Sequence, residues 1–435
     1  MLKKCILILL DGLGDRSYPE IGGTPLQAAK TPNLNKISKS GSNGLYHSLM
    51  YGYPLSSEIA HLLIFGYRLE DFCGRGAFEA LGYGVDFKMG DVAFMAKFTS
   101  VKNENGILKV ADPNPLLTDE DALTLSELVN TYNSGDIKLN FTLTKSLIGI
   151  LTLRGDVSPF ITDTDPFLKN VPVPEPSGWK DFEKLETVQN SAKALKDYIL
   201  WSHEKLSGHE INKKRKGEGL PPVNFVMTQR PGALKPVKSF HDRWGMKGCF
   251  IASGAVYKGL SEYIGLDFHK VNDSNSPGKD IEERIHFALN MLDKYDYIHI
   301  HTKAPDEAAH KKDPLLKKKV IESLDSGIGR AMNALNSRDD LLLVITADHS
   351  TPSEGPLIHS GEPVPVIFHG KGVRIDRIKK FDEISCAGGA LGLMRGRELM
   401  MMVLNYINRT RLAGIADSPV LRDFWPGEYK PFRTG

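Results

Sequence analysis

Short apolar runs alternate with helical patterns along much of this chain, and this alternation strongly constrains its fold. The first run, Cys5–Leu10, is continuously apolar and ends abruptly at Asp11, as expected of a strand buried on both faces. Further strand candidates are Phe250–Ala252, Tyr297–His301 and Leu341–Ile345, and helical patterns cover Asn33–Ser38, Asp280–Leu292, Leu315–Leu335 and Arg397–Ile407. The sequence therefore predicts an α/β fold with a mostly parallel sheet flanked by helices.

The middle of the chain contains several segments rich in Asn, Asp, Gly or Pro. Loops are predicted at Lys102–Gly106, Asp112–Pro115 and Asp163–Gly178, a strand at Phe141–Arg154 and a helix at Glu186–Glu204. A chain of 435 residues is also too long for one ordinary core. We therefore predict a core domain formed by residues 1–89 and 236–435, with a second, smaller α/β domain, residues 90–235, inserted into it.

Composition excludes several classes of protein. Lys and Arg number 55 against 53 Asp and Glu, which argues against a large basic face for nucleic acid. The four cysteines form no CxxC pair, so a reducing compartment fits better than a disulfide framework. The run Cys5–Leu10 is too short for a secretory signal, and no apolar stretch approaches the roughly 20 residues of a membrane span. A cytoplasmic protein without membrane partners is expected.

Asp306 and His310 are four residues apart in the segment APDEAAH. On a helix this spacing places both side chains on one face, within reach of a single ion. Pro305 suits the first turn of such a helix, because proline lacks only a donor that this turn leaves unused. A solvent-facing helical turn is the alternative interpretation of this pair taken alone.

Asp348 and His349 are adjacent, so within a strand their side chains would point to opposite faces. The following Ser350–Ser353 segment favours a turn, which would let both side chains reach a metal. His359 follows shortly afterwards. Asp11 and Asp348 both come directly after apolar runs, and ligand sites in parallel α/β sheets lie beyond the carboxyl ends of the strands. Each residue taken singly would also be compatible with an ordinary polar surface position.

Ser57 precedes the helical run Ile59–Phe65. A serine at a helix start is usually an N-cap. The alternative is a nucleophile, because a helix N-terminus favours both an alkoxide and a bound phosphate. A serine hydroxyl reacts only weakly unless a base or a metal lowers its pKa. The neighbouring Ser56 competes with Ser57 for either role.

These segments together supply three carboxylates, three imidazoles and one hydroxyl, enough for two divalent cations beside a nucleophile. The donors are nitrogen and oxygen without a thiolate, which favours Mn²⁺, Zn²⁺ or Co²⁺ over Ca²⁺ or an iron–sulfur cluster. Paired metal ions are a common means of transferring phosphoryl groups. The sequence therefore predicts metal-dependent phosphoryl transfer.

The same segments resemble those of a known family. From one end to the other the chain carries LDGLGDR, GGTPLQAAKTPNLNKIS, SEIAHLLIFGY, GRGAFEALGYG, LRGD, TDTDP, RKGEGLPPVN, DEAAH, ADHSTP, HSGEPVPVIFHG and GRELM. In this order they resemble the archaeal-type, cofactor-independent phosphoglycerate mutases of the alkaline phosphatase superfamily. The resemblance implies an alkaline-phosphatase-like core fold. It also implies interconversion of 3-phosphoglycerate and 2-phosphoglycerate through a phosphoserine, without 2,3-bisphosphoglycerate, and leaves open whether the chain forms a homo-oligomer.

The resemblance also implies roles for individual residues. One metal would be held by Asp11, Ser57, Asp348 and His349, and the other by Asp306, His310 and His359. Ser57 would carry the phosphoryl group. The implied substrate-binding residues are His61 and Lys303, with Arg154, Asp165, Arg215 and Arg230 from the inserted domain. Arginine suits this task because its planar fork binds phosphate and carboxylate groups bidentately.

Three segments depart from the family pattern. Ser56 precedes the nucleophile where glycine is usual, Ser146-Leu147-Ile148 replaces Gly-His-Arg, and Arg-Gly is expected in the segment that here reads Gln229-Arg230-Pro231-Gly232. These changes favour, as an alternative, a phosphatase or mutase of the same superfamily acting on another phosphorylated or phosphonate metabolite. A binding protein that has lost activity is a third hypothesis, but it predicts eroded ligands, and all seven predicted positions hold competent residues.

Overall fold

The computed structural model describes residues 1–415, 422–425 and 432–434. The chain forms two compact units: the core unit, residues 1–72 with those described from 237 onward, and the inserted unit, residues 73–236. The predicted boundaries were 89/90 and 235/236. The first boundary differs because the helix Arg75–Tyr83 packs against strands of the inserted unit.

Strands and helices are numbered here in chain order. The strands are β1 Lys4–Leu10, β2 Ser42–His47, β3 Val92–Glu104, β4 Ile107–Asp112, β5 Thr131–Ser134, β6 Ile137–Lys145, β7 Ile148–Arg154, β8 Phe225–Gly232, β9 Gly248–Ala252, β10 Asp267–Lys270, β11 Tyr297–Thr302, β12 Leu341–Thr346, β13 Val364–His369 and β14 Gly392–Arg395. The helices are α1 Pro25–Ala28, α2 Pro32–Lys39, α3 Ser57–Ile64, α4 Arg75–Tyr83, α5 Asp119–Leu128, α6 Glu186–Gly208, α7 Glu210–Gly217, α8 Phe240–Trp244, α9 Ala255–Ile264, α10 Pro277–Met291, α11 Ala304–His310, α12 Pro314–Asn336, α13 Glu383–Cys386 and α14 Glu398–Tyr406.

The core unit contains a sheet with the strand order β10-β9-β11-β1-β12-β13-β2-β14. Neighbouring strands are parallel except where β13 pairs with β12 and β2. β11 and β12 are buried along their whole length, and β1 is buried beyond its first residue, which explains their continuous apolar sequences. The predicted mostly parallel α/β fold is confirmed.

The register of the central strands determines where the site residues lie. β1 pairs in parallel with β11 on one side and β12 on the other, so that Leu9 lies opposite both His301 and Thr346. The residues that follow these three strands therefore emerge at the same edge of the sheet. This edge carries Asp11, Asp348 and the start of α11.

The inserted unit is built on an antiparallel sheet with the order β4-β3-β7-β6-β5, and β8 pairs with β3. The prediction of one strand over Phe141–Arg154 was wrong, because the chain reverses at Ser146, which has a φ of 46°, and forms the β6–β7 hairpin. The predicted loop Lys102–Gly106 is largely the end of β3, and only its last two residues turn. Local composition thus predicted the turn after β3 but not the extent of β3 itself, and it did not reveal the turn between β6 and β7.

No helix in the described part of the chain combines the length and apolarity needed to cross a membrane.

Candidate metal centre

The first cluster of predicted ligands lies at the carboxyl edge of the core sheet. Asp11, Asp348 and His349 each place one ligand atom within 4.8 Å of the others, and all three residues are buried. The His349 Nε2 atom lies 3.1 Å from Asp348 Oδ2 and 3.5 Å from Asp11 Oδ1. We call these three residues the inner group.

The loop conformation after β12 brings both Asp348 and His349 into the inner group. β12 ends at Thr346, so the adjacent side chains are not held to opposite faces of a strand. The Gly12 backbone N–H donates to Asp348 Oδ1 over 3.0 Å, which ties the loop after β1 to the loop after β12. The predicted departure from the strand before Asp348 is thereby confirmed.

Ser57 lies beside the inner group at the start of α3. Its Oγ atom is 3.1 Å from His349 Nε2, and the residue is buried. Ser56, not Ser57, occupies the N-cap position, and within the described residues its side chain makes no capping hydrogen bond. The hydroxyl of Ser57 therefore faces the predicted ligands, not the helix backbone.

The second cluster consists of Asp306, His310 and His359, whose ligand atoms also lie within 4.8 Å of one another. The helix α11 carries the first two residues four apart, and His310 Nε2 is 3.2 Å from Asp306 Oδ2. His359 Nε2 is 3.6 Å from Asp306 Oδ1, and its Nδ1 donates to Leu55 O over 2.6 Å. We call these three residues the outer group, because His310 is exposed.

The inner and outer groups are adjacent. The rings of His349 and His359 stack with their centroids 3.8 Å apart. The structure thus brings together all seven side chains that the sequence analysis selected as metal ligands, although they come from four distant segments. Their role as ligands is a prediction that this geometry supports.

Crowded carboxylates give the site an unusual charge balance. Burial and repulsion from Asp348 and Asp306 raise the pKa of Asp11 to about 7. Burial would also raise the pKa of Asp348, but the neighbouring His349 holds it below its ordinary value. Burial would lower the pKa of His349, yet Asp348 raises it to about 9. The cluster therefore needs positive charge, which bound cations would supply.

Three carboxylate oxygens test whether metal ions fit this site. Asp11 Oδ1, Asp348 Oδ2 and Asp306 Oδ2 are buried, and among the described residues none of them accepts a hydrogen bond of good geometry. A histidine Nε2 of the same group nevertheless lies 3.1–3.5 Å from each of them. Buried polar atoms are normally satisfied, and one that is not requires an explanation such as an ion. Each of the three oxygens belongs to one of the two ligand groups. The nitrogen and oxygen atoms that these residues offer are therefore suitable ligands for divalent cations.

Two further residues orient Asp11, and the sequence analysis did not select either of them. His301 Nε2 lies 2.8 Å from Asp11 Oδ2, and the Tyr257 hydroxyl donates to the same oxygen over 3.1 Å. The other carboxylate oxygen, Asp11 Oδ1, is then left to face His349 Nε2. One sequence signal was available, because His299 and His301 interrupt an otherwise apolar buried strand, and polar residues there need a partner. Tyr257 on α9 gave no such signal.

His61 and Lys303, predicted to border the site, both lie in the core unit close to the ligands. His61 Nδ1 donates to Ser57 O over 2.7 Å, and burial lowers the pKa of this histidine to about 4. It is therefore neutral and supports the backbone of α3. Lys303 precedes α11, with its Nζ 3.6 Å from Asp306 Oδ2.

Arg154, predicted to bind substrate, is engaged within the inserted unit. Its guanidinium group donates to Asp91 and Asp86, with N–O distances of 2.7 Å and 3.0 Å in the two ion pairs. These pairs compensate its charge locally. Arg215 is buried on α7 and donates through Nε to Pro221 O over 2.9 Å.

Asp165 and Arg230 are brought near each other by contacts between the TDTDP segment and β8. Asp165 pairs with Lys97 over 3.0 Å and accepts a hydrogen bond from Gln229. Arg230 has a φ of 51° and donates its backbone N–H to Asp163 over 2.6 Å. This left-handed conformation is one that glycine adopts most readily. Arg154, Asp165 and Arg215 therefore all have partners within the inserted unit. The Arg230 backbone is also held there, by its hydrogen bond to Asp163.

Comparison with known proteins identifies the family. The pattern of the metalloenzyme superfamily matches residues 3–406. The chain is 41% identical over 432 residues to the 2,3-bisphosphoglycerate-independent phosphoglycerate mutase 2 of Methanocaldococcus jannaschii, and the match covers 97% of each chain. The chain therefore belongs to the metalloenzyme superfamily and, within it, to the family of 2,3-bisphosphoglycerate-independent phosphoglycerate mutases. The family predicted from the motifs is thereby confirmed.

Two solved structures resemble this one along almost the whole chain. A protein of Pyrococcus horikoshii is 29% identical with a TM-score of 0.77, covering 95% of this chain and 100% of the other. The cofactor-independent phosphoglycerate mutase of Thermoplasma acidophilum is also 29% identical, with a TM-score of 0.67, covering 93% and 100%. The similarity therefore includes both units of the chain.

Proposed function

We propose that this protein interconverts 3-phosphoglycerate and 2-phosphoglycerate by metal-dependent phosphoryl transfer through Ser57, without 2,3-bisphosphoglycerate. The observation that carries the proposal is that the Ser57 hydroxyl lies beside the inner group of metal-type ligands, which itself adjoins the outer group. Membership of the mutase family supports the choice of substrate. The ligand geometry supports the chemistry.

The inner group would hold one divalent cation together with Ser57 Oγ, and the outer group would hold the other. When bound, such ions lower the pKa of a coordinated hydroxyl and neutralise charge on a transferring phosphoryl group. Mn²⁺, Zn²⁺ and Co²⁺ all suit these donors. Metal analysis of the protein after reconstitution with each ion separately distinguishes among them.

Ser57 would carry out the transfer itself. Its oxygen forms a bond to phosphorus while the bond between phosphorus and the 3-oxygen breaks, and the 3-oxygen gains the proton that the serine loses. The amide end of α3 favours the phosphate charge on Ser57. Glycerate then reorients, and its 2-oxygen forms a bond to phosphorus while the bond between phosphorus and Ser57 Oγ breaks. The serine oxygen regains the proton that the 2-hydroxyl loses. Water must be kept from the phosphoserine during this interval, since its attack would release inorganic phosphate.

His61 and the pair formed by Tyr257 and His301 support this step without reacting. His61 fixes the carbonyl of Ser57, and the other two side chains hold Asp11 so that its free oxygen faces His349. Such partners commonly orient ligating residues. The protein thus contributes a prearranged site, and the ions contribute the charge.

An assay coupled to enolase tests the proposed function. Purified protein reconstituted with Mn²⁺ is expected to convert 3-phosphoglycerate into 2-phosphoglycerate, which enolase then dehydrates. Absence of 2-phosphoglycerate with each of the three ions would contradict the proposal.

We also propose a cytoplasmic location, because the substrate is a soluble phosphorylated metabolite, and cell fractionation tests it. Light scattering of the purified chain determines whether it forms a homo-oligomer.

A phosphatase or a mutase for another phosphorylated or phosphonate metabolite is the second candidate. It is favoured by the hairpin turn at Ser146-Leu147-Ile148, which replaces Gly-His-Arg, and by Gln229, which is bound to Asp165. Arg154 is also paired with two carboxylates. Measuring inorganic phosphate released from a panel of phosphorylated and phosphonate metabolites distinguishes hydrolysis from transfer.

A further inference from the structure

Thr351 joins the inner and outer groups through one hydroxyl. The residue is fully buried. Its Oγ1 atom lies 2.8 Å from Asp306 Oδ1 in the outer group and 3.1 Å from His349 Nδ1 in the inner group. A single side-chain atom is thus within hydrogen-bond distance of one residue from each group.

The chemistry of these partners fixes the direction of both hydrogen bonds. An ionised carboxylate only accepts, so Thr351 must donate its one hydroxyl proton to Asp306. The oxygen of Thr351 can then only accept from His349, whose Nδ1 must carry a hydrogen. The other nitrogen, Nε2, is the atom that faces Asp348 Oδ2 and Ser57 Oγ. Thr351 therefore selects the nitrogen that His349 presents to the inner group.

Backbone contacts hold Thr351 in this position. Its N–H donates to Gly14 O over 2.9 Å, and its carbonyl accepts from the buried Lys317 Nζ over 2.9 Å. Lys317 also donates to Gly14 O and pairs with Asp15. The loops after β1 and β12 are thereby fastened to α12, so the Thr351 hydroxyl has little freedom to turn elsewhere.

Gly12 shows how closely the surrounding chain fits this hydrogen bond. A Cβ atom at position 12 would lie 2.6 Å from Thr351 Oγ1 and 2.8 Å from Asp306 Oδ1. The backbone of Gly12 also has a φ of +63°. The glycine thus leaves space for the contact between Thr351 and Asp306.

We propose that Thr351 is a positioning residue that couples the two metal sites. Its hydroxyl orients a carboxylate of one group and an imidazole of the other in a single arrangement. Loss of the hydroxyl should consequently weaken metal binding at both groups, although Thr351 itself is not a ligand. This inference rests on the proposed metal ligation, and it assigns the coupling to one side chain.

Titration of the metal-free protein with Mn²⁺, followed by the electron paramagnetic resonance signal of the free ion, tests the proposal without substrate. Wild type is expected to bind two ions. The variant T351V, which keeps the shape and removes the hydroxyl, is expected to bind both roughly 10- to 100-fold more weakly. T351S restores the hydroxyl and is expected to restore both affinities to within about threefold.

A matched control separates this effect from the general consequence of replacing a buried threonine. Thr99 is fully buried in the inserted unit, and its Oγ1 has no hydrogen-bond partner in the described part of the chain. T99V is therefore expected to bind Mn²⁺ like wild type. Circular dichroism of each metal-free variant verifies folding, and if T351V does not fold, the comparison of T351A with T351S replaces it.

The outcomes distinguish this inference from the proposed function. Two wild-type affinities in T351V, or weakening at only one site, would overturn the coupling while leaving the mutase proposal intact. Wild type that binds two ions but forms no 2-phosphoglycerate would overturn the function and leave the coupling in place. Wild type that binds fewer than two ions would overturn both.

Discussion

The inner and outer ligand groups differ in how the fold holds them. Asp11, Asp348 and His349 are all buried at the ends of central strands, whereas the outer group includes His310, whose side chain is 37% exposed. Asp11 has protein hydrogen bonds on one oxygen, and the Gly12 backbone anchors Asp348. The side chains of the inner group therefore also support the fold, whereas the exposed His310 of the outer group contributes little to it.

The largest effect should come from Ser57, the proposed nucleophile beside the inner group. S57A is expected to reduce phosphoryl transfer at least about a thousandfold, because removal of a catalytic nucleophile abolishes the covalent route. S56A is the matched control, since the side chain of Ser56 makes no capping hydrogen bond within the described residues. Equal losses in both variants, measured by the enolase-coupled assay, would show that Ser57 has no special role.

Two glycines test whether the chain is packed more tightly around Thr351 and Asp306 than in the loop that precedes His359. Gly12 and Gly355 both have positive φ, but a Cβ at Gly12 meets Thr351 and Asp306, whereas nothing lies within 4 Å of a Cβ at Gly355. G12A should lower the free energy of unfolding by about 3–5 kcal/mol, from backbone strain and crowding together. G355A should lower it by only about 1–2 kcal/mol, from strain alone. Urea denaturation measures both, and similar losses would contradict the difference in packing.

The pH dependence of stability tests the support of the loop that carries Asp11. Glu383 accepts hydrogen bonds from Asp15 N and Thr24 Oγ1, and burial raises its pKa from 4.5 to about 7. The folded state therefore favours the protonated form, so this contribution to stability is complete below pH 4.5 and is lost as pH rises through about 7. The shift corresponds to at most about 3–4 kcal/mol.

The neutral variant E383Q is expected to remove this dependence. Its free energy of unfolding should change less than that of wild type between pH 4.5 and 7, and it should exceed the wild-type value above pH 7. Urea denaturation at a series of pH values measures the difference. Parallel curves for the two proteins would show that Glu383 is not the titrating group.

The smallest effect compares ligand substitutions in the metal-free protein. D348N should lower the free energy of unfolding by about 2 kcal/mol, because it weakens the ion pair with His349 and the hydrogen bond that the Gly12 backbone N–H donates to Asp348. H310A should change it by less than about 0.5 kcal/mol, since the side chain is exposed. Thermal unfolding with a chelator present measures both, and a larger loss in H310A would reverse the comparison.

Sequence reasoning located the site because parallel strands deliver their following residues to one edge of the sheet. Asp11 and Asp348 were identifiable from the apolar runs before them, and Asp306 and His310 from their helical spacing. Thr351 and Tyr257 were not selected, since a hydroxyl in a turn or on a helix gives no local sign of its partner. The hairpin at Ser146 was missed because the two turn residues, Ser146 and Leu147, include no Gly or Pro, and Ser146 alone gave no clear sign that the chain turns there.

Phosphorus NMR of the products formed from 3-phosphoglycerate tests the central claim most directly. With the protein and Mn²⁺, the spectrum should gain the resonance of 2-phosphoglycerate with little inorganic phosphate, and S57A should leave the substrate unchanged. Formation of inorganic phosphate alone, or unchanged substrate with wild type, would contradict the assignment of this site to phosphoryl transfer between the two hydroxyl groups of glycerate.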